Sequence, residues 1–270
     1  MRKILITGYK GYIGQHLCKM LSTNTDIEII GIDKLDNVVD ILYNVPNIEV
    51  DTVIHLAALV KVGESVEKPT MYYNTNINGT NNVLSKIKYK HFIFASTGAA
   101  ENPTSPYGLS KKACEDIIKE YSSVNKTDYT IFRFYNVIGS DGYEPTNPDG
   151  LFFNLLKAPE RGYINLYGDD YNTKDGTCIR EYIHVNDICR GIINSIGNPS
   201  NSIENLAYGL PKSVKEIIEI YKQVNNVEFD VKILPKRDGD LAETYLKIPS
   251  SYMECNYTYE QMLKIGIINE

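Results

Sequence analysis

The sequence predicts an α/β fold, in which a doubly wound parallel sheet carries a smaller C-terminal lobe. Two observations predict it. In the first half of the chain, short apolar runs alternate with amphipathic helical patterns, as in repeated strand–helix units. From Ser140 onward, turn residues become frequent and the apolar runs shorten, which indicates a second lobe rather than a continuation of the first.

Composition excludes several classes of protein. A chain of 270 residues with 43% hydrophobic residues suits one large domain or two closely joined lobes. A net charge of −6 argues against a nucleic-acid-binding surface. The cysteines have no C-x-x-C or metal-ligand spacing, which indicates free thiols in a reducing compartment and no metal site. No apolar run reaches membrane-spanning length, so we expect a cytoplasmic protein that binds no membrane.

A glycine-rich turn follows the first predicted strand, residues 3–7, and leads into a helix that runs to about Leu21. Gly8 permits the tight turn, and Gly11 lets a pyrophosphate approach the N–H groups at the helix N-terminus. Gly14 allows the helix to pack closely on the strand. A strand, G-x-x-G-x-x-G and a helix, in that order, are typical of a Rossmann-like dinucleotide site.

An acid at the end of the second strand, residues 27–32, indicates which dinucleotide is bound. Asp33 is placed to accept hydrogen bonds from the adenosine ribose, and it would repel a 2′-phosphate, so NAD is favoured over NADP. We expect a third strand at 38–41, which would bring Asp40 and Ile41 beside the adenine.

The next two elements predict further cofactor contacts. A strand at 52–57 ends in the small residue Ala57, past which a cofactor can lie closely. The long helix at 69–86 contains Asn76, a poor helix former. Two reasons for Asn76 stay open: a polar contact beside the cofactor, or packing of small side chains between helices.

The residues that point to chemistry follow the strand at 91–95. A small, Pro-rich turn leads into a helix at 107–121, where Tyr107 and Lys111 lie four residues apart on one face. An ammonium beside a phenol lowers the pKa of the phenol. Thr97, at the strand end, is placed to hold a substrate hydroxyl against that phenol. The three residues predict proton transfer to and from an alcohol or carbonyl.

The remaining pattern predicts a strand at 129–134 and a loop at 135–139 that carries Asn136. Because ligands bind at the carboxyl edge of an open parallel sheet, we expect this loop to lie near the cofactor turn. We assign residues 1–139, with a return at about 185–207, to the NAD-binding domain, and 140–184 with 208–270 to the smaller lobe. Further elements are expected: helices at 151–156, 186–196, 213–224 and 259–264, strands at 164–167, 203–207 and 227–234, and an extended segment at 177–184.

With these residues assembled, the chain resembles the extended short-chain dehydrogenases/reductases, and more narrowly the UDP-glucose (UDP-galactose) 4-epimerases. The resemblance covers nearly the whole chain. Seven segments carry it: T-G-Y-K-G-Y-I-G at 7–14, D-T-V-I-H-L-A-A at 51–58, V-G-E-S-V-E-K-P at 62–69, N-I-N-G-T at 76–80, S-P-Y-G-L-S-K at 105–111, the uridine-site segment at 167–185, and R-D-G-D at 237–240.

The resemblance implies roles by position. Tyr107 would be the general base and acid, Lys111 would bind the nicotinamide ribose and tune Tyr107, and Thr97 would bind the sugar 4-hydroxyl. Cofactor contacts are implied for Gly8, Gly11, Tyr12, Ile13, Gly14, Asp33, Asp40, Ile41, Ala57, Asn76, Tyr107 and Lys111. Contacts with UDP are implied for Asn136, Asn154, Tyr167, Arg180 and Arg237.

The implied reaction inverts carbon 4 of a UDP-hexose, either UDP-glucose/UDP-galactose or the N-acetylhexosamine pair, through a transient 4-keto sugar. NAD is the implied cofactor. The resemblance also implies a homodimer, paired through the helices at 69–86 and 107–121.

Two alternatives stay open. A 4,6-dehydratase uses the same scaffold, but dehydratases place Asp-Glu after the Thr, and Gly98 and Ala99 stand there. A non-catalytic module that binds NAD or a UDP-sugar would fit the shortened link of nine residues between Thr97 and Tyr107. Arg180 and Arg237 have acidic neighbours and can equally be read as surface ion-pair residues.

Overall fold

The computed structural model describes residues 1–36, 40–237, 239–246 and 255–265. The described helices are α1 (Tyr12–Leu21), α2 (Val62–Glu67), α3 (Pro69–Tyr72), α4 (Gly79–Lys86), α5 (Pro106–Asn125), α6 (Leu151–Arg161), α7 (Val185–Ser195), α8 (Val214–Asn225) and α9 (Tyr259–Leu263). A π-helical turn, Tyr73–Asn78, joins α3 to α4. No described helix has both the length and the apolar character that crossing a membrane requires.

The strands follow the predicted order closely. They are β1 (Arg2–Thr7), β2 (Ile27–Ile32), β3 (Thr52–His55), β4 (His91–Thr97), β5 (Asp128–Phe134), β6 (Asn136–Ile138), β7 (Tyr163–Tyr167), β8 (Ile179–Arg180), β9 (Tyr182–His184), β10 (Ile203–Leu206), β11 (Lys212–Ser213), β12 (Asp230–Leu234) and β13 (Glu243–Thr244).

The chain forms two units, one made of Met1–Phe134 with Cys189–Asn205, the other of Tyr135–Ile188 with Leu206–Glu270. The first unit contains the main sheet, in the order β2-β1-β3-β4-β5-β10. Strands β1 to β5 pair in parallel, because each is connected to the next by a helix or a long crossover. The prediction of an α/β fold with a Rossmann-like parallel sheet is confirmed.

The strand register aligns side chains near the carboxyl edge of this sheet. Thr7 on β1 pairs with His55 on β3, and His55 pairs with Phe94 on β4. The apolar side chains beneath them form a continuous core between the sheet and its helices, with Leu5, Val53, Val83, Leu84, Phe92, Cys114, Ile118 and Ile131 among its members. The residues at the strand ends therefore lie on a close-packed core, which fixes their positions.

The predicted third strand does not form in its described part. Residues 38 and 39 lie outside the described residues, and Asp40 and Ile41 lie in a turn. The reason is local: the Asp40 carboxylate accepts from the Leu42 N–H at 2.8 Å, and the Asp40 carbonyl accepts from the Tyr43 N–H at 3.1 Å. These bonds close an Asx-type turn, which competes with an extended backbone.

Among its described residues, the second unit contains three small sheets, β11-β8-β13, β12-β7 and β6-β9. The loop predicted at 135–139 is wrong in its middle, because Asn136–Ile138 forms β6 and pairs in parallel with β9. Backbone hydrogen bonds decide this: the Asn136 N–H donates to the Glu181 carbonyl at 3.1 Å. The helix predicted at 213–224 begins as expected, with a capping box between Ser213 and Glu216.

Candidate active site

The glycine turn of the first unit has the geometry that a dinucleotide needs. Gly8 has a φ of +75°, and a Cβ there would lie 2.8 Å from the Ala57 backbone nitrogen. A Cβ at Gly14 would lie 2.4 Å from the Gly8 carbonyl oxygen. The Gly11 N–H donates to that same carbonyl at 3.0 Å, and α1 begins at the next residue, Tyr12. Only glycine can lie this close to the neighbouring backbone. The N-terminus of α1 is suited to bind an anion such as a phosphate.

Asp33 lies directly after β2 and is buried. One carboxylate oxygen accepts from the Lys10 N–H at 3.1 Å, and the other accepts from the Leu35 N–H at 3.0 Å. Each oxygen of a carboxylate can accept a further hydrogen bond. The Lys10 ammonium pairs with Asp36 instead, so Asp33 has no described cationic partner. The turn and this carboxylate together fit the pyrophosphate and ribose of NAD.

Tyr12 and Ile13, two other residues expected at the cofactor, begin α1 directly after this turn, and burial raises the pKa of Tyr12. Ile41 is buried in the core, where its side chain lies against Gly79 on α4. The roles of these residues toward NAD stay predictions.

Tyr107 is near the start of α5, and the helix begins as the sequence dictates. Pro106 occupies the first position, and the Ser105 hydroxyl oxygen accepts from the Gly108 N–H at 3.2 Å. Burial raises the pKa of Tyr107 to about 12, and a hydrogen bond with Thr97 partly offsets the rise. The ring meets Tyr72 edge to face, with centroids 6.4 Å apart.

Lys111 lies one turn further along α5 and is only 3% exposed. Burial lowers its pKa to about 8, while Cys114 and Glu115 act in the opposite direction. Its ammonium lies 4.0 Å from the centroid of the Phe94 ring. The net change in the pKa of Tyr107 is a rise, because burial is its largest cause, and the lowering expected from Lys111 stays a prediction.

Thr97 is the last residue of β4, as predicted. Its hydroxyl oxygen accepts from the Ala99 N–H at 3.3 Å and so caps the short turn Gly98–Ala100. Thr97 also lies close enough to Tyr107 to lower the pKa of its phenol. Strand end and helix start therefore bring a hydroxyl and a phenol together, next to a lysine.

The contacts of Asn76 explain why a poor helix former occupies the π-helical turn. Its amide nitrogen donates to the Ser110 hydroxyl oxygen at 2.9 Å and to the Leu59 carbonyl at 3.1 Å, and its amide oxygen accepts from the Leu59 N–H at 2.8 Å. Ser110 in turn donates to the Tyr107 carbonyl at 2.7 Å. Of the two open reasons, these contacts support packing between helices.

Sequence reasoning missed a buried ion pair behind the site. Arg133 donates to both oxygens of the Glu115 carboxylate, at 2.9 and 2.8 Å, and the Ser96 hydroxyl donates to it at 2.6 Å. The pair joins β4, α5 and β5 beside Thr97 and Lys111. A Glu four residues after a Lys normally indicates a surface helix pair, and no local pattern points to a partner on a strand.

A second buried group was also missed. His55, the last residue of β3, lies between the hydroxyls of Thr7 on β1 and Thr80 on α4, at 2.6 and 3.0 Å. Burial, with some repulsion from Lys111, lowers the pKa of His55 to about 3. A histidine that closes an apolar strand is the one signal in the sequence that pointed to it.

The predicted UDP-binding residues all lie in the second unit. The Arg237 guanidinium lies 3.7 Å from the centroid of the Tyr167 ring, at the end of β7. It also donates to the Asp149 carbonyl at 3.5 Å. Asn154 on α6 donates to the Pro148 carbonyl at 2.7 Å.

Arg180 on β8 is only loosely paired. It donates to the carbonyls of Ile179 and Ala242, at 3.0 and 3.4 Å, and its nearest described carboxylate, Asp240, is 3.8 Å away. Asn136 donates its side-chain N–H to the Glu181 carbonyl at 2.9 Å. The second unit thus contains two guanidinium groups, of Arg180 and Arg237, and the aromatic ring of Tyr167. The guanidinium groups contact mostly neutral partners.

The chemistry that the first unit can perform follows from its groups. A phenol, a hydroxyl and an ammonium can move one proton to and from an alcohol oxygen. In the described part of the chain, no three His, Cys, Asp or Glu side chains gather as a metal site would require.

Comparison with known proteins places the chain among enzymes. Residues 4–209 match the model of the NAD dependent epimerase/dehydratase family. A UDP-glucose 4-epimerase of Halalkalibacterium halodurans is 32% identical, with 88% of this chain and 85% of that protein covered. The UDP-glucose 4-epimerase of Pasteurella multocida is 29% identical, with 97% and 95% covered.

Solved structures show the same similarity. The UDP-glucose 4-epimerase of Bifidobacterium longum, in complex with NAD+ and UDP, superposes with a TM-score of 0.81 at 26% identity, covering 97% of this chain and 96% of that one. The UDP-Glc/GlcNAc 4-epimerase of Campylobacter jejuni gives 0.76 at 29% identity, covering 97% of each chain.

Proposed function

The chain belongs to the NAD-dependent epimerase/dehydratase family, and we propose that it inverts carbon 4 of a UDP-hexose through a transient 4-keto sugar. NAD is its cofactor. The observation that carries the proposal is the placement of Thr97 at the carboxyl end of β4, where it lowers the pKa of the Tyr107 phenol, with Lys111 one turn further on α5. These groups share a unit with a glycine turn that fits NAD.

Each side chain has a distinct task in this reaction. Tyr107 takes the proton of the sugar 4-hydroxyl and later returns it, and Thr97 holds that hydroxyl in place. NAD, when bound, accepts and returns the hydride of carbon 4. Because the pKa of Tyr107 is about 12, its phenol is protonated at neutral pH, which favours the return of the proton. Removal of the proton relies on the positive charge of Lys111 to stabilise the phenolate.

The second unit is proposed to hold the UDP portion. Arg180 and Arg237 would bind the diphosphate, because a guanidinium can engage two phosphate oxygens at once. Tyr167 would stack on uracil, and Asn136 and Asn154 would donate to the nucleotide. In this proposal residues 1–139, with the return at about 185–207, form the NAD domain, and 140–184 with 208–270 form the UDP-sugar lobe.

A homodimer is the proposed assembly, with the helices at 69–86 and 107–121 as its interface. Two apolar side chains on these helices are open to solvent: Met71 is 37% exposed and Leu109 is 50% exposed. Burial against a second copy would remove both from water. We also propose a cytoplasmic location, where UDP-sugars and NAD are both available.

The test is a product assay. The purified protein is incubated with UDP-galactose and, separately, with UDP-N-acetylgalactosamine, and the nucleotide sugars are separated by chromatography. The proposal expects the gluco epimer from at least one substrate without added reductant. Tyr107→Phe should abolish it.

Other outcomes would replace the proposal. A 4-keto-6-deoxy product would identify a dehydratase, although Gly98 and Ala99 after Thr97 supply no carboxylate for water elimination. No product from either sugar, while NAD and UDP remain bound, would identify a binding module.

A further inference from the structure

We propose that Phe94 is a positioning residue for Lys111, because the face of its ring holds the ammonium in place and keeps it charged inside the core. The neutral imidazole of His55 stacks on the same Phe94 ring. The inference deepens the proposed function, and its kinetic consequence rests on that function. The effect of Phe94 on the charge state of Lys111 does not depend on the proposed function.

The first argument is the geometry. The Lys111 Nζ lies 4.0 Å from the centroid of the Phe94 ring, within the range of a cation–π contact. Phe94 itself is buried and lies in the core cluster, so its ring cannot swing away. The His55 ring stacks on it, with centroids 5.8 Å apart and planes inclined by 22°. The parallel register that pairs His55 with Phe94 sets this stack.

The second argument is the shortage of other partners. In the part of the chain that the structure describes, no carboxylate lies within 4.0 Å of the Lys111 ammonium. Glu115 on the same helix is occupied by Arg133 and Ser96. The titratable groups that influence Lys111 are Glu115 and Cys114 from α5, and His55 from β3.

The third argument is the charge of His55, which follows from its hydrogen bonds. The Thr80 hydroxyl donates to the Asn76 carbonyl at 2.7 Å, so toward His55 it accepts, and the Nε2 of His55 carries the proton. The Nδ1 then accepts from the Thr7 hydroxyl at 2.6 Å. This arrangement holds a neutral imidazole, and burial disfavours its protonation. A charged His55 would repel Lys111 through the Phe94 ring.

The sharpest test changes the electrons of the ring without changing its shape. Phenylalanine carrying one, two or three ring fluorines is incorporated at position 94 in the NAD-loaded protein. Lysine labelled with ¹³C at Cε is titrated by NMR, and Lys111→Arg identifies the signal. Fluorine weakens the negative face of the ring, so the pKa of Lys111 should fall stepwise with each added fluorine, by about one unit in all.

Phe92 supplies the matched control. It lies two residues earlier on β4, is equally buried and also contacts the His55 ring, at 5.8 Å. The same fluorinated residues at position 92 should leave the pKa of Lys111 unchanged. If the pKa does not move on fluorination at 94, or moves equally at 92, the ring of Phe94 is not the seat of Lys111.

A pair of natural variants extends the test to turnover. Phe94→Leu and Phe92→Leu should lower the unfolding midpoint similarly, but only Phe94→Leu should shift the alkaline limb of kcat/KM to lower pH, by about one unit. Equal pH profiles would overturn the proposal. If no UDP-sugar is turned over but the NMR shift on fluorination is found, the positioning role stands and the proposed function fails.

Discussion

Two arginine–carboxylate pairs in the molecule differ in a way that separates scaffold from site. In the first unit, Arg133 grips Glu115 at 2.9 and 2.8 Å, and the Glu115 side chain is fully buried. In the second unit, Arg180 stands 3.8 Å from Asp240, whose side chain is 33% exposed. The Arg180 side chain is itself only 15% exposed, so the two pairs differ in their geometry and in the exposure of the carboxylate. A buried, bidentate carboxylate cannot be removed without a large cost, whereas a distant, partly exposed carboxylate can be exchanged for a phosphate.

The same contrast holds for the residues around each pair. In the first unit the reacting groups are held by contacts between elements, from Thr97 to Tyr107 and from Asn76 to Ser110. In the second unit Arg237 rests on the Tyr167 ring and one carbonyl. The first region is built to hold a fixed geometry, and the second to adjust to a ligand.

The largest expected effect is on the chemistry of the first unit. Tyr107→Phe removes the only proposed proton carrier and should lower kcat by about 10²–10⁴-fold, with little change in the unfolding midpoint. Tyr121→Phe, further along the same helix, is the control and should keep full activity. Steady-state kinetics with UDP-galactose check both, and a Tyr107→Phe enzyme with near-normal kcat would contradict the assignment.

The next effect is on stability. Glu115→Ala leaves Arg133 buried without its partner and should cost about 3–5 kcal/mol of unfolding free energy. Asp116→Ala, at the neighbouring exposed position, removes a surface pair with Lys112 and should cost less than about 1 kcal/mol. Denaturant unfolding measures both variants. Equal losses would show that burial does not distinguish these carboxylates.

A smaller effect is expected in the second unit, and on binding rather than folding. Arg180→Ala should weaken UDP binding by about 10–100-fold, the loss of a charged hydrogen bond, and should cost less unfolding free energy than Glu115→Ala, because the Asp240 carboxylate that it leaves behind is partly exposed. Lys157→Ala, which removes a surface pair with Glu144, is the control. Calorimetric titration measures the affinity for UDP. An unchanged affinity together with a loss of stability would show that Arg180 supports the fold and does not bind the ligand.

The smallest expected effect concerns Asp240, the partner of Arg180 in the second unit. If the Asp240 carboxylate competes with a diphosphate for Arg180, Asp240→Asn should tighten UDP binding by a few-fold, in line with a surface pair of about 0–1 kcal/mol. The same titration measures it. Weaker binding would mean that Asp240 orients Arg180 for the ligand instead of competing with it.

Much of the first unit was predictable because its motifs act through the backbone. The glycines of the turn are required by a positive φ and by close approaches, and these requirements are visible in the sequence. Tyr107 and Lys111 share a helix face through their spacing alone. The parallel sheet follows from alternating strand and helix patterns.

The rest depends on contacts between distant segments, which a single sequence does not encode locally. Lys111 lies over the Phe94 ring because of how α5 packs on β4, a contact that its position in the helix does not predict. Nothing in the helical pattern singles out Glu115, because its partner lies 18 residues away on β5. The strand at 136–138 forms only because β9 supplies its hydrogen bonds.

The most direct test of the central claim is epimerisation of UDP-galactose in D₂O, followed by NMR of the product. If carbon 4 is oxidised and reduced within one active site, its hydrogen never exchanges with solvent. The account predicts UDP-glucose that retains the original hydrogen at carbon 4, and no product with Tyr107→Phe. If UDP-galactose is not turned over, the same experiment is run with UDP-N-acetylgalactosamine. Deuterium at carbon 4 of the product, or no product from either sugar while it is bound, would contradict inversion at carbon 4.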